Sequence, residues 1–231
     1  MSTLSAKVAA PGPRSEGPSR RTEILEIAFQ QLAAHGFEGL RVRDIAQAVG
    51  INQATLLYHF RDKEELIVSL VDDLIGRFRS VNEGRYVVQS GSFDGFEAHL
   101  QTLSGLFVSL PEIYVAMNEI AARAIRHEKI AAKLAAVEKD WADYIGTLLH
   151  AAAPEADVEA VAATALATVV FVRGVSAKAA GDGTLATLMA HAKGRKLAAR
   201  RIRVAMSTYA ALVRRGFFLP NADGIVPQKH S

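Results

Sequence analysis

Residues 41–66, RVRDIAQAVGINQATLLYHFRDKEEL, decide the fold of this chain. Within this stretch, segment 42–49 places its apolar residues at the i, i+3, i+4, i+7 spacing of one helix face. Gly50 follows directly, and a glycine can take the left-handed backbone conformation that ends a helix. We therefore predict a short helix from Val42 to Val49, followed by a tight turn.

A second helix is predicted directly after this turn. Asn52 is a favourable N-cap residue, and Leu56 and Phe60 can be buried against the preceding helix. The side chains left for other contacts are Gln53, Ala54, Thr55 and Tyr58. Two helices joined by a short turn that contains glycine form the motif whose second helix enters the major groove of DNA. The same corner also occurs in helical proteins that do not bind DNA, so the flanking sequence matters.

Amphipathic helices are predicted on both sides of this corner. Residues 22–37 carry apolar side chains on one side, and Gly36 is expected to end that helix. Asp62 and Glu65 have the spacing of a capping box, which begins a further helix that runs to Phe78. Residues 20–78 are therefore predicted to form one small helical domain, with the corner at about 41–60.

This part of the chain resembles the TetR family of bacterial transcriptional regulators. The matching elements are Ala28, Gly36-Phe37, 42–46, Gly50-Ile51, 54–60 and 63–66, in order and without a gap over about residues 20–70. Two positions differ from the family pattern. Arg41 stands where a Ser or Thr often caps the first helix of the motif, and Leu57 stands where a Tyr is common.

The resemblance implies a homodimer that binds double-stranded DNA at a near-palindromic operator, most often as a repressor that a small-molecule effector releases. The side chains expected at the DNA are Arg41, Arg43, Asn52, Gln53, Ala54, Thr55, Leu57, Tyr58, His59 and Lys63. Of these, Gln53 and Thr55 can hydrogen-bond base edges, and Ala54 can contact a thymine methyl group. The basic and aromatic members are expected to hold phosphates, which sets the register on the duplex.

Composition favours an all-α protein. Half of the 231 residues are apolar, and few segments alternate with the period of two that is typical of strands. The chain has no cysteine, which excludes disulfides and thiolate metal sites. Its seven histidines are scattered without the i, i+4 spacing of metal ligands, so no metal or cofactor is expected. The net charge of +3 is small, so DNA binding would depend on where the basic residues lie.

The termini are expected to be extended and polar. Residues 1–19 lack the apolar core of a signal peptide and are predicted to be a disordered basic arm, and residues 219–231 a flexible tail. No segment is expected to cross a membrane, because the most apolar run contains Glu159 and several small residues. These features favour a soluble, cytoplasmic protein.

Residues 79–218 are predicted to form a larger helical bundle for effector binding and dimerisation. The expected helices are Phe93–Ser109, Glu112–Arg126, Glu128–Ala151, Pro154–Ala180 and Leu197–Phe217. The last two are rich in apolar and small residues, and two copies of such a pair can form a four-helix bundle between subunits. Alternatively, both helices complete the core of a single subunit.

A cavity for an effector is expected among the aromatic residues of this bundle, because small-molecule sites are mainly apolar with a few polar anchors. The candidate residues are Phe78, Phe107, Tyr114, Asn118, Arg123, Trp141, Tyr144 and Phe171. Each of them also has an ordinary alternative role as a core residue.

Two other functions are compatible with parts of the sequence. A helical small-molecule carrier or enzyme would explain the bundle without DNA binding, but the chain has no phosphate-binding glycine loop and no recognisable catalytic set. Eight Lys or Arg and no acidic residue lie between Lys193 and Gly216. This basic cluster is typical of a solvated helix face, and it could also serve a protein–protein adaptor or a further nucleic-acid surface.

Overall fold

The computed structural model describes residues 19–82, 92–190 and 194–218, and within these ranges it contains helices and no strand. The helices are α1 (Arg20–Gly39), α2 (Val42–Val49), α3 (Gln53–His59), α4 (Lys63–Asn82), α5 (Asp94–Ser109), α6 (Pro111–Ala124), α7 (Glu128–Ala152), α8 (Val158–Gly181), α9 (Thr184–Met189) and α10 (Arg195–Phe218). The all-α prediction is confirmed. The predicted arm and tail lie outside the described residues, apart from Ser19.

The first helix is interrupted where the sequence indicated. Ser19 caps α1 by accepting the backbone N–H of Thr22. At Gly36 the backbone leaves the helix, with φ +63° and ψ −174°, and a final turn follows to Gly39. That combination of angles is open almost only to glycine. The bend places Phe37 in the core of the N-terminal domain, where it is 8% exposed.

Two hydrophobic cores hold the fold together. The first is built mainly by α1–α4, with Ile24, Leu32 and Leu70 fully buried. Three residues of the following helices complete it: Ala116, Ile120 and Ile130. The second core lies among α5, α6, α7, α8, α9 and α10. The two parts of the molecule therefore share buried surface instead of meeting through a linker alone.

Helix bounds differ from the predictions mainly in the second half. The predicted helix from Pro154 begins instead at Val158, because Asp157 caps it by accepting the N–H of Ala160 at 3.0 Å. Pro154 lies in the preceding turn. The short helix α9 was not predicted, since its six residues are too few for a periodic pattern.

Helix α8 is the most apolar helix of the bundle. By length and composition it could cross a membrane, which corrects the expectation that no segment could. It packs against α7 and α10 and buries Val161, Val169 and Val172. Its opposite side is open to solvent and carries Leu166 and Val170.

Candidate nucleic-acid interface and bundle cavity

The corner between α2 and α3 has the geometry that its residues predict. Gly50 adopts the left-handed conformation, with φ +76° and ψ +31°. The N–H of Ile51 donates to the carbonyl of Ala46 at 2.9 Å, which closes the end of α2. Asn52 then caps α3, its Oδ1 accepting the N–H of Thr55 at 2.7 Å. The start of α3 is thus fixed by local hydrogen bonds.

Helix α3 is anchored on one side and open on the other. Leu56 within α3 and Phe60 at its end are fully buried. Gln53 and Ala54 are exposed, and Tyr58 is 87% exposed. The polar side chains at the start of α3 therefore point away from the core, as a groove-reading helix requires.

Thr55 is partly committed to the fold. Its hydroxyl donates to Asn52 Oδ1 at 3.0 Å, in addition to the backbone bond. A hydroxyl that donates in this way retains its lone pairs. Thr55 can therefore accept a hydrogen bond from a base amino group without breaking the cap, whereas Asn52 is occupied as the cap itself.

The candidate phosphate-contacting residues flank α3 on the surface. Arg41 precedes α2 and makes no side-chain cap there, in agreement with the departure from the family pattern. Arg43 is highly exposed, with Asp44 3.9 Å away. Lys63 is exposed in the first turn of α4. Beside Tyr58, the ring of His59 lies 5.6 Å away in an edge-to-face arrangement.

The start of α4 is held by the two residues of the predicted capping box, although Glu65 reaches past the cap residue Asp62 to the N–H of Arg61. Asp62 accepts the N–H of Glu65 at 2.8 Å, and Glu65 accepts the N–H of Arg61 at 3.0 Å. The hydrogen bond from the Glu65 backbone lowers the pKa of Asp62 below its ordinary value. The carboxylate is therefore ionised at neutral pH, and it lies close to Lys63 in the chain.

One contact that the sequence did not indicate locks the corner onto the first helix. The guanidinium of Arg21 lies 4.6 Å from the centre of the Phe60 ring and donates to the hydroxyl of Ser69 at 2.7 Å. Arg21 thereby ties α1 to the end of α3 and to α4. Such a contact joins residues far apart in sequence, so no local pattern could predict it.

Polar contacts connect the N-terminal domain to the bundle at several points. Glu119 on α6 accepts the N–H of Phe37 at 3.3 Å. Along α4, Glu64 contacts His127 and Asp72 contacts Lys133, the latter at 2.6 Å. Farther along the same helix, Arg79 pairs with Asp140. The helix that follows the candidate reading helix is thus fastened to α7 over most of its length.

A cavity of about 60 Å³, partly open to solvent, lies in the bundle between α4, α6, α7 and α8. Its walls are mainly apolar and consist of Phe78, Tyr114, Met117, Asn118, Leu134, Val137, Glu138, Trp141, Val172, Arg173 and Ser176. Four of the eight residues named from the sequence are among them: Phe78, Tyr114, Asn118 and Trp141. The sequence analysis did not name Arg173 and Ser176, because α8 has the pattern of an apolar helix rich in small residues, and it did not name Glu138 of α7, which has no distinctive local pattern.

The other four candidates are not in the wall of this cavity. Phe107 is fully buried and stacks on Tyr114, with ring centres 3.5 Å apart. Phe171 stacks on Tyr209 of α10 at 4.1 Å. Tyr144 packs edge-on against His99 at 5.4 Å. Arg123 lies 5.1 Å from the ring of Phe37, at the contact with the N-terminal domain.

A buried histidine holds the cavity-wall residue Trp141 in place through a hydrogen bond. His99 accepts the indole N–H of Trp141 at 2.8 Å through Nε2. Because burial penalises the charged imidazolium, it lowers the pKa of His99 to about 4. His99 is therefore neutral at pH 7, which is the state that can accept the hydrogen bond from Trp141.

The outer surfaces of α8 and α10 share an unusual property. Their exposed side includes six large aliphatic side chains, which are Val158, Leu166, Val170, Leu197, Val204 and Leu212. Exposed small residues of α8, including Ala163 and Gly174, lie near them in sequence and permit a close approach of another helix. Within the described ranges, no group of His, Asp or Glu side chains is arranged to hold a metal ion.

The basic cluster of the last helix lies mainly on the surface of α10. Arg214 pairs with Glu97 at 3.2 Å, and Arg195 donates to the carbonyl of Val108 at 2.8 Å. Both contacts attach α10 to α5. At least part of this cluster therefore stabilises the bundle itself.

Sequence comparisons with known proteins match mainly the N-terminal part of the chain. The sequence profile of bacterial regulatory proteins of the tetR family matches residues 24–70. The HTH-type transcriptional repressor KstR2 of Mycolicibacterium smegmatis is 32% identical over 104 residues, which are 43% of this chain and 45% of that protein. The HTH-type transcriptional repressor AcnR of Corynebacterium diphtheriae is 40% identical over 62 residues, 27% of this chain and 33% of that protein. The matches thus span less than half of these relatives.

The fold likeness extends over most of the chain. The crystal structure of a transcriptional regulator from Rhodococcus sp. Rha1 superimposes with a TM-score of 0.69 at 18% identity, covering 90% of this chain and 99% of that one. KstR2 and AcnR are both named as transcriptional repressors, which favours a regulator over the alternative of a helical enzyme. Residues 24–70 therefore match the tetR family of bacterial regulatory proteins, and the chain as a whole shares the fold of that transcriptional regulator.

Proposed function

We propose that this protein is a homodimeric, sequence-specific DNA-binding repressor that a small-molecule effector releases from its operator. The observation that carries the proposal is the outward, polar face at the start of α3, on a helix whose inner residues are fully buried. The repressor names of the relatives that match the same N-terminal region support it.

We assign the recognition of DNA bases to Gln53, Ala54 and Thr55, which lie at the start of α3. Such residues meet base edges when a recognition helix enters the major groove. Arg41, Arg43, Tyr58, His59 and Lys63 are assigned to the phosphates on either side. Leu57 is 37% exposed and offers only an apolar contact.

Dimerisation is assigned to the exposed aliphatic side of α8 and α10. Isolated exposed aliphatic residues are ordinary, but six of them on two helices that contact each other are typical of an interface. A second copy that packs its own pair there would form a four-helix bundle. The two reading helices should then meet half-sites whose centres are about 34–36 Å apart, or a multiple of that distance.

Effector release requires that a ligand bind the DNA-free arrangement more tightly than the DNA-bound one. The bundle cavity is a suitable place, since Phe78 on α4 forms part of its wall. A ligand that shifts α4 would also shift Lys63 and the corner that precedes it. The contacts of α4 with α7 give this movement a defined path.

The first test is to recover genomic fragments that the purified protein binds, beginning with DNA next to its own coding region, and to footprint them. We expect a near-palindromic protected site. Gln53→Ala should change which sequences are preferred, at a cost of about 1–3 kcal/mol at the contacted base pair. Failure to retain any sequence above random fragments would refute the repressor assignment.

A second variant separates phosphate contacts from base reading. Lys63→Ala should weaken binding to all sequences alike and reduce the slope of log affinity against log salt by about one. Lys196→Ala is a matched control, because it removes an exposed lysine from α10, away from the reading helix. An unchanged salt slope for Lys63→Ala would exclude that residue from the phosphate contacts.

A further inference from the structure

The charges in the wall of the bundle cavity limit which molecules it can accept. Among its lining residues, only Glu138 on α7 and Arg173 on α8 are charged. Their side chains pair with one another across the two helices. They are 31% and 38% exposed, so the pair is partly removed from water. The cavity therefore presents a cation and an anion that already neutralise each other.

An ionic ligand would meet an unfavourable partner at this pair. A carboxylate that approached Arg173 would also approach the carboxylate of Glu138, and an ammonium group would meet the reverse situation. Either ligand would have to leave water and break an existing ion pair to form its own. An uncharged ligand avoids both costs and leaves the pair intact.

One polar position in the wall can still recognise a neutral oxygen. Asn118 Nδ2 donates to the hydroxyl oxygen of Ser176 at 3.0 Å. A hydroxyl that accepts in this way can still donate its own proton. The Tyr114 hydroxyl donates instead to the carbonyl of Leu103 at 3.2 Å. Ser176 is thus the hydroxyl placed to meet a ligand.

The space suits a slender molecule. A water needs about 10–15 Å³ of such volume, so the 60 Å³ available corresponds to a chain of about four to six non-hydrogen atoms. Apart from Asn118, Ser176 and the ion pair, the walls are aromatic or aliphatic. Burial of aliphatic surface would supply most of the affinity.

We propose that the bundle cavity binds an uncharged, slender aliphatic molecule, or the aliphatic end of a larger one, that carries a single alcohol or carbonyl oxygen directed at Ser176. Glu138 and Arg173 act together as a filter against ionic ligands. This inference rests on the proposed function only in treating the occupant as the effector. Binding itself can be measured without DNA.

The chain provides its own reporter for this measurement. Trp141 is its single tryptophan and lies in the cavity wall. Intrinsic fluorescence therefore reports on this site in the full-length protein. The probes are three molecules of matched length: pentan-1-ol, pentanoate and pentylammonium. For the unaltered protein, we expect pentan-1-ol to bind at least about tenfold more tightly than either ion, since a charge buried beside a compensated pair loses hydration without gaining a partner.

Two substitutions should change this order in opposite directions. Glu138→Gln leaves the cation of Arg173 uncompensated, so the ratio of pentanoate to pentan-1-ol affinity should rise by about tenfold or more. Arg173→Gln leaves Glu138 uncompensated and should favour pentylammonium instead. Asp143→Asn is the matched control, because it removes a carboxylate from an exposed pair with Lys139 on the same helix. It should leave the order unchanged, and circular dichroism of each variant checks folding.

Opposite changes in the two variants would support the filter. The proposal would be overturned by a preference of the unaltered protein for pentanoate, by an unchanged order in both variants, or by no fluorescence response to any probe. Operator release is measured separately by gel shift. A protein that binds pentan-1-ol but no DNA would refute the repressor assignment and leave the ligand class intact.

Discussion

The N-terminal domain and the helical bundle differ in how completely they bury their apolar side chains. In the N-terminal domain, the short helices α2 and α3 bury Ile45, Leu56 and Phe60 and direct polar residues outward. The bundle leaves six large aliphatic side chains exposed on α8 and α10 and keeps a cavity inside. The first domain is completed by its own residues and three from α6 and α7, whereas the second presents surfaces that a partner can complete.

The largest effect is expected from a change on the exposed side of α8. Leu166→Asp places a charge in the proposed subunit contact, and we expect it to yield monomers. Loss of two-site binding should lower operator affinity by about 10²–10⁴-fold. Light scattering and gel shift measure the two effects. Ile125→Asp, a change at an exposed aliphatic residue at the end of α6, should alter neither. If Leu166→Asp remained a dimer, the bundle would not be completed by this side of α8.

We expect acid to lower the free energy of unfolding through His99, which lies in the bundle. Unfolding allows His99 to bind a proton below its ordinary pKa of 6.5, whereas the folded protein excludes that proton down to about pH 4. Its contribution is therefore complete above pH 6.5 and is lost as the pH falls between those values. The loss amounts to about 3 kcal/mol in free energy of unfolding.

His99→Gln checks this assignment. The amide oxygen of glutamine can still accept the Trp141 N–H, but it does not titrate. The variant should lose part of the pH dependence of urea unfolding between pH 4 and 6.5. Equal pH dependence in the two proteins would show that the acid-sensitive group lies elsewhere.

Gly36 tests the contact between the two regions. An alanine there must adopt φ +63°, and its Cβ would lie 2.9 Å from Glu119 Oε2. We expect Gly36→Ala to lower the free energy of unfolding by about 1–3 kcal/mol. Gly146→Ala is the opposite case, since that position in α7 has nothing within 4 Å. It should raise stability by about 0.5–1 kcal/mol, because alanine favours a helix interior. Chemical denaturation compares the two, and equal effects would contradict the strain at Gly36.

The smallest expected effect compares two N-caps of the same kind. Asn52 caps α3 and Asp157 caps α8, each by accepting a backbone N–H three residues on. Replacing either with alanine should cost about 1 kcal/mol of stability. Only Asn52→Ala should also weaken operator binding, because it loosens the reading helix. An equal loss of DNA binding in both variants would argue against a distinct role for the N-terminal domain.

Local signals account for what the sequence predicted well. The turn at Gly50 and the caps at Asn52 and Asp62 each depend on residues within four positions of one another, and all three were confirmed. The start of α8 was misplaced because Pro154 and Asp157 both suit a helix start, and only packing decides between them.

The wall of the cavity could be predicted only in part, because it is formed by residues that are far apart in sequence. Trp141 and Asn118 could be named by type, but aromatic residues on bundle helices are core as often as ligand wall. The ion pair of Glu138 and Arg173 joins two helices whose relative rotation no local pattern specifies. The same reason explains why the sequence could not show that Phe171 and Arg123 lie outside the wall of this cavity.

The shared core has a consequence for building chimeric regulators. Ala116, Ile120 and Ile130 belong to the bundle in sequence but to the N-terminal core in space. A graft that joined residues 20–78 to the sensor region of another regulator would replace all three, together with Glu119 beneath Gly36. A hybrid protein would therefore need these four side chains together with residues 20–78. Without them, the contact between its two domains would be poorly packed.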